Sequence, residues 1–154
     1  MNMDSLCQHQ KLELLFPDCP FMAATVNLGP RTECKMHRDF QNFVFGLCCI
    51  IVLGSFDYTK GGFLCLQEPN IHMEVAPGDI VFIPSACVTY GNTAIQPGEK
   101  RYSFTLYTAG QLFHWVKNSF AKKIKPRSKL VEKTEGDVRW LEGWGLHCTL
   151  DELK

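Results

Sequence analysis

At 154 residues and 17.5 kDa the chain has the size of one domain. Hydrophobic residues make up 45% and charged residues 21%, which suits a globular protein with a buried core and excludes a disordered, collagen-like or coiled-coil chain. Sixteen Lys and Arg balance sixteen Asp and Glu, so the molecule as a whole has no electrostatic pull toward nucleic acid or an anionic membrane, and such binding would need a local patch.

The longest apolar run, Phe43 to Leu53, falls well short of the roughly 18–20 residues of a membrane-spanning helix. The first ten residues lack the basic start and apolar stretch of a secretory signal, and the terminal Asp-Glu-Leu-Lys has the letters of a retention tetrapeptide in the wrong order. An intracellular, cytoplasmic protein is expected. There are eight cysteines, with Cys48 and Cys49 adjacent in an apolar run and Cys65 and Cys87 in similar runs. That placement predicts buried free thiols in a reducing compartment. No Cys-x-x-Cys pair points to a thiolate zinc site.

In chain order, residues 4–15 suit a short helix capped by Asp4 or Ser5, with Leu6, Leu12, Leu14 and Leu15 as its apolar positions and Pro17 and Pro20 ending it. Runs rich in Val, Ile, Phe, Tyr and Thr then alternate with turn signals. They are Ala23–Leu28, Val44–Leu53, Phe63–Gln67, Ile71–Val75, Ile80–Ile83, Cys87–Tyr90 and Arg101–Tyr107. Seven or eight closely spaced strands indicate a sandwich or barrel. After Gly110, Leu112, Phe113, Val116 and Phe120 fall at helical spacing. The lysine-rich stretch 117–133, around Pro126, reads as a solvated connector rather than a nucleic-acid patch, because Phe120 alone interleaves as an aromatic. Residues 138–153, with Trp140, Trp144, Leu146 and Leu150, suit a last short helix. The expected organisation is a single domain, 1–154: an N-terminal segment 1–22, a β-barrel core 23–110 and a helical C-terminal extension 111–154.

Two short motifs carry chemistry. His37-Arg38-Asp39 spaces an imidazole and a carboxylate two residues apart, which on a strand puts both on one face and suits two ligands of one metal; a solvated salt bridge would explain the pair equally. Arg101-Tyr102-Ser103 offers a guanidinium fork and a hydroxyl to one small anion, where an ordinary exposed arginine on an edge strand is the plainer alternative.

These motifs fall in an ordered series. Asn27-Leu28-Gly29-Pro30, His37-Arg38-Asp39-Phe40-Gln41-Asn42, Gly54-Ser55-Phe56-Asp57 with Gly61-Gly62, Ile83-Pro84-Ser85, Asn92-Thr93, Arg101-Tyr102-Ser103-Phe104-Thr105, Tyr107-Thr108-Ala109-Gly110 and Leu112-Phe113 follow one another over residues 23–120. Together they resemble the iron(II)/2-oxoglutarate dioxygenases, and in flavour a fungal branch related to the TET/JBP-type nucleobase oxygenases. The resemblance implies an all-β, double-stranded β-helix barrel of jelly-roll or cupin-like form, with Fe(II) and 2-oxoglutarate as cofactors. It implies His37 and Asp39 as metal ligands and Arg101 with Ser103 as the 2-oxoglutarate carboxylate site. At the position of the family's remaining metal histidine this chain has Tyr90. His72 lies in another strand-like run, His114 follows the last one, and His9 and His147 are near the termini, so none is an obvious substitute.

Three outcomes are open for Tyr90 as the third ligand and catalytic-site residue. The phenol binds a metal as phenolate, or stays neutral beside a two-residue site, or the metal is lost and the cup survives for binding or other chemistry. Plain core packing is a fourth role for the ring. The expected function is oxidation of a small organic molecule with 2-oxoglutarate as cosubstrate and an altered third ligand. Its competitor is a degenerate oxygenase that binds a ligand or partner, or runs a metal-free or different metal-dependent reaction in the same cavity. The neutral charge argues against nucleic acid and membranes as partners, while exposed sheet edges would suit a second copy of the chain.

Overall fold

The computed structural model describes residues 16, 19–117, 137–138 and 140–145. The expected helix over 4–15 and nearly all of the lysine-rich connector lie outside the described residues. Seven strands precede one helix: β1 (Ala23–Asn27), β2 (Cys48–Ser55), β3 (Leu64–Leu66), β4 (Ile71–Met73), β5 (Ile80–Ile83), β6 (Tyr90–Asn92), β7 (Lys100–Tyr107) and α1 (Gly110–Lys117). Residues 137–138 and 140–144 are also helical, within the stretch expected to form a last helix. The described chain is therefore mainly β with short helices. No helix among the described residues is long and apolar enough to cross a membrane.

The strands form two antiparallel sheets, four-stranded in the order β1-β7-β2-β5 and three-stranded in the order β4-β3-β6. No ladder among the described residues joins the two into a closed ring. Residues 48, 50 and 52 of β2 point the same way and are buried, as a period of two requires. With Leu64, Val75, Ile83 and Tyr90 they make the core.

Two strands start later than the apolar runs predict. Val44–Leu47 is not strand, because the Gly46 amide donates to the Phe43 carbonyl and closes a turn before β2. Likewise Cys87 and Val88 both donate to the Pro84 carbonyl, so the Pro84-Ser85 turn uses up 87–89 and β6 begins at Tyr90. Cys87 is consequently exposed, contrary to the expected buried thiol, whereas Cys48, Cys49 and Cys65 are buried and free.

Ile83 is 2% exposed at the centre of this core, where neighbours held by two sheets have little freedom to collapse onto a void. Ile83→Ala is expected to destabilise the fold by about 2–5 kcal/mol, read as a lower midpoint in urea unfolding with an unchanged slope.

Candidate functional site

The central strand β7 carries the first half of the site. Arg101 and Ser103 lie on the same face and are 2% and 5% exposed. A loop after β1 covers Arg101. The Arg101 amide donates to the Pro30 carbonyl (2.6 Å), the Thr32 amide donates to the Arg101 carbonyl (3.2 Å), and Arg101 Nη1 donates to the Thr32 carbonyl at 3.5 Å. Glycine at 29 makes this approach feasible: its φ is +35°, and a Cβ there would sit 2.5 Å from the Arg101 carbonyl oxygen.

Arg101 Nε has no partner, and among the described residues no carboxylate pairs with the guanidinium. Burial pulls its pKa down, as expected for a cation withdrawn from water without a counter-charge. Beside it, Asn27 Nδ2 donates to Ser103 Oγ at 2.9 Å. That leaves the hydroxyl proton free to donate elsewhere.

The second half comes from a loop and a strand end. His37 and Asp39 do not share a strand face as the His-x-Asp spacing suggests; both lie in loop, joined to β6 by a single bridge. In that bridge the His37 amide donates to the Tyr90 carbonyl and the Tyr90 amide to the His37 carbonyl, both at 2.9 Å. The Asp39 amide donates to the Ser85 carbonyl at 2.9 Å. Asn42 Nδ2 donates to Asp39 Oδ2 (3.2 Å) and Ser85 Oγ (2.9 Å). Backbone bonds and an amide thus aim the carboxylate that strand geometry does not.

Tyr90 is 7% exposed, and its hydroxyl donates to Asp39 Oδ2 at 2.8 Å. Burial pushes its pKa far above the ordinary phenol value, with the hydrogen bond to Asp39 and that carboxylate's charge adding to the effect. The ring also packs on His37, centroid to centroid at 4.5 Å, so core packing and a site contact coexist in one side chain. His37 Nδ1 lies 2.7 Å from the Lys35 carbonyl. Since a carbonyl only accepts, this nitrogen holds a proton, and in the neutral ring Nε2 is the nitrogen that presents a lone pair. Asp39 Oδ1 lies 3.6 Å from Nε2, beyond hydrogen-bond reach.

All five predicted residues, His37, Asp39, Tyr90, Arg101 and Ser103, line one cavity of about 730 Å³, in the range of small-molecule sites. His72 and His114 are exposed on β4 and α1 and do not line it; His9 and His147 lie outside the described residues. The motif series contained Asn27, Asn42 and Ser85 without disclosing their supporting roles, because each role depends on a partner distant in sequence.

Neither the protein-family models nor the curated proteins contain a match to this chain. Among solved structures it is similar to NgTET1 in complex with 5mC DNA, with a TM-score of 0.51 and 22% identity, covering 60% of this chain and 35% of that one. Over that stretch the two chains share a fold. The chain spans about a third of NgTET1's chain, and the likeness concerns architecture.

The donors do not make the two-histidine, one-carboxylate facial triad of non-haem ferrous oxygenases. His37 Nε2 and Asp39 Oδ1 supply two. Beside them stands a phenol whose hydrogen points at the carboxylate, and no three His, Cys, Asp or Glu side chains converge among the described residues. Replacing the phenol by a neutral nitrogen donor should remedy this, so Tyr90→His is expected to retain more iron than the unmutated protein after anaerobic reconstitution. His37→Ala provides the control. Tight iron in the unmutated protein with a phenolate charge-transfer band would contradict the assignment.

The phenol gives a second, metal-free signature. A pKa raised on folding means stability that is complete below the unfolded value of about 10 and lost as pH rises through the folded value. In an absorbance titration of the folded protein, Tyr90 is expected to resist ionisation above the ordinary phenol range. Tyr90→Phe should remove that late step; an unchanged curve in the variant would count against it.

Proposed function

We propose that the cavity binds a small dicarboxylate of the 2-oxoglutarate type in a cup of double-stranded β-helix form, one carboxylate lying on Arg101 and Ser103. The observation that carries this reading is the buried guanidinium with an unpartnered Nε. Its planar fork matches a carboxylate, and the Ser103 hydroxyl, oriented by the Asn27 amide, supplies a further donor. In the same cavity the Tyr90 hydroxyl occupies Oδ2 of the carboxylate that a metal would need, which favours binding without turnover.

Oxidation of a small organic molecule with Fe(II) and 2-oxoglutarate is the second reading. It draws on the convergence of His37 Nε2 and Asp39 Oδ1, two lone-pair donors at 3.6 Å, and formation of succinate by the unmutated, iron-reconstituted protein would raise it to first place. A small ligand is preferred to the DNA that accompanies NgTET1, since a net charge of +0 gives the molecule as a whole no pull toward a phosphate backbone.

Calorimetric titration tests the anion site. 2-Oxoglutarate is expected to bind the unmutated protein, and Arg101→Lys to weaken it by about tenfold or more, because an ammonium loses the two-point contact. Absence of heat with the unmutated protein, for both 2-oxoglutarate and succinate, would overturn the reading.

A further inference from the structure

Among the described cysteines Cys19 and Cys34 are half-buried, and Cys19 does not line the cavity described above. Cys48, Cys49 and Cys65 are buried, and burial pushes their thiols up. The exposed Cys87 thiol donates to the Val44 carbonyl at 3.4 Å. Cys34 instead lines the cavity that holds Arg101 and Ser103. Its backbone is clamped to the buried Asn92 in both directions: the Cys34 amide donates to Asn92 Oδ1 and the Asn92 amide to the Cys34 carbonyl, each at 3.0 Å. A glycine at 91 lets the loop lie this close, since a Cβ there would meet the Cys34 carbonyl oxygen at 2.7 Å.

The same short segment holds the guanidinium. The Thr32 carbonyl accepts from Asn92 Nδ2 at 3.0 Å and from Arg101 Nη1 at 3.5 Å. Cys34, two residues further on, lines the same cavity as Arg101. The cavity wall thus combines a nucleophile on a fixed backbone with a cation that is 2% exposed and has an unpartnered Nε.

We propose that Cys34 is a covalent modification site for carboxylate-bearing electrophiles, which Arg101 draws into the cavity and holds beside the thiol. The proposal rests on the anion-binding reading above and adds a reaction to it. The thiol gives its proton to water and the sulfur lone pair attacks the electrophilic carbon, forming a carbon–sulfur bond. With a 2-halo acid the carbon–halogen bond breaks and halide leaves with the electron pair. With a conjugated unsaturated acid the π pair moves to the carbon next to the carboxylate, which takes a proton from water. Neither route changes the total electron count, so no oxidant or reductant is required.

Iodoacetate and iodoacetamide share a leaving group and differ in charge, which isolates the contribution of the cation. Each is applied to the native full chain, and alkylation is followed cysteine by cysteine by peptide mass spectrometry. The iodoacetate-to-iodoacetamide rate ratio at Cys34 is expected to exceed that at Cys87 by about tenfold, the scale on which a focused field enriches an anion. Succinate should slow iodoacetate at Cys34 and leave Cys87 unaffected, and Arg101→Met should erase the preference. Succinate protection in the unmutated protein decides the matter without relying on the folding of that variant. Equal ratios at the two cysteines overturn the proposal. If calorimetry shows succinate bound while the ratios are equal, the cysteine inference alone fails; if neither is seen, the anion site fails with it.

Discussion

The guanidinium of Arg101 lies 2% exposed on a central strand with no carboxylate paired to it among the described residues. Withdrawing a charge from water without an opposite one opposes folding by several kcal/mol, so the surrounding structure has to hold it in place. It does so through backbone: β7 is paired on both edges by β1 and β2, and the loop at Pro30–Thr32 is hydrogen-bonded to Arg101 from above. A side chain kept in such a position by so much backbone is pre-organised for an anion. Asn27 and Ser103 extend the same arrangement along the strand pair, where they are register partners.

At Asp39, in the same cavity, the opposite economy of charge holds. The negative charge of Asp39 is met by neutral donors, the Tyr90 hydroxyl and the Asn42 amide, both on Oδ2. A phenol that donates to a carboxylate resists ionisation, and its resistance in turn keeps a second negative charge out of the pocket. The tyrosine at 90 therefore does two things together: it offers the cavity no nitrogen donor and it occupies a lone pair of the carboxylate. The bridge between His37 and Tyr90 is made by backbone and does not depend on which side chain stands at 90, so the cup can keep its shape while its donor set changes.

The loop from 28 to 42 supplies Cys34, His37 and Asp39 to the cavity, and besides bonds of its own, such as Asn42 to Asp39, it is hydrogen-bonded to β6, β7 and the turn at Ser85. Gly29 and Gly91 permit the close backbone contacts on which that placement depends. The same contacts set a thiol and a cation against one cavity, an arrangement with consequences for reactivity beyond those of either group alone.

Much of the β architecture was legible in the chain itself. The runs at 23–28, 80–83 and 101–107 correspond closely to β1, β5 and β7, because period-two burial and turn residues act locally. Strand starts at 44 and 87 were misread where a glycine or a Pro-Ser turn outweighed apolar composition. The five site residues were also legible, from short motifs and their order. Their geometry was not, since His-x-Asp implies a shared strand face and the structure places both residues in loop. By itself the sequence determined which groups were available: an imidazole, a carboxylate, a phenol, a guanidinium and a hydroxyl. Tertiary structure decided that the phenol's proton faces Asp39, that the guanidinium is buried with its Nε unpartnered, and that Cys34 shares its cavity. Protonation and pairing depend on burial and on neighbours far away in the chain, Tyr90 and Asp39 being 51 positions apart, and only the packed fold sets either one.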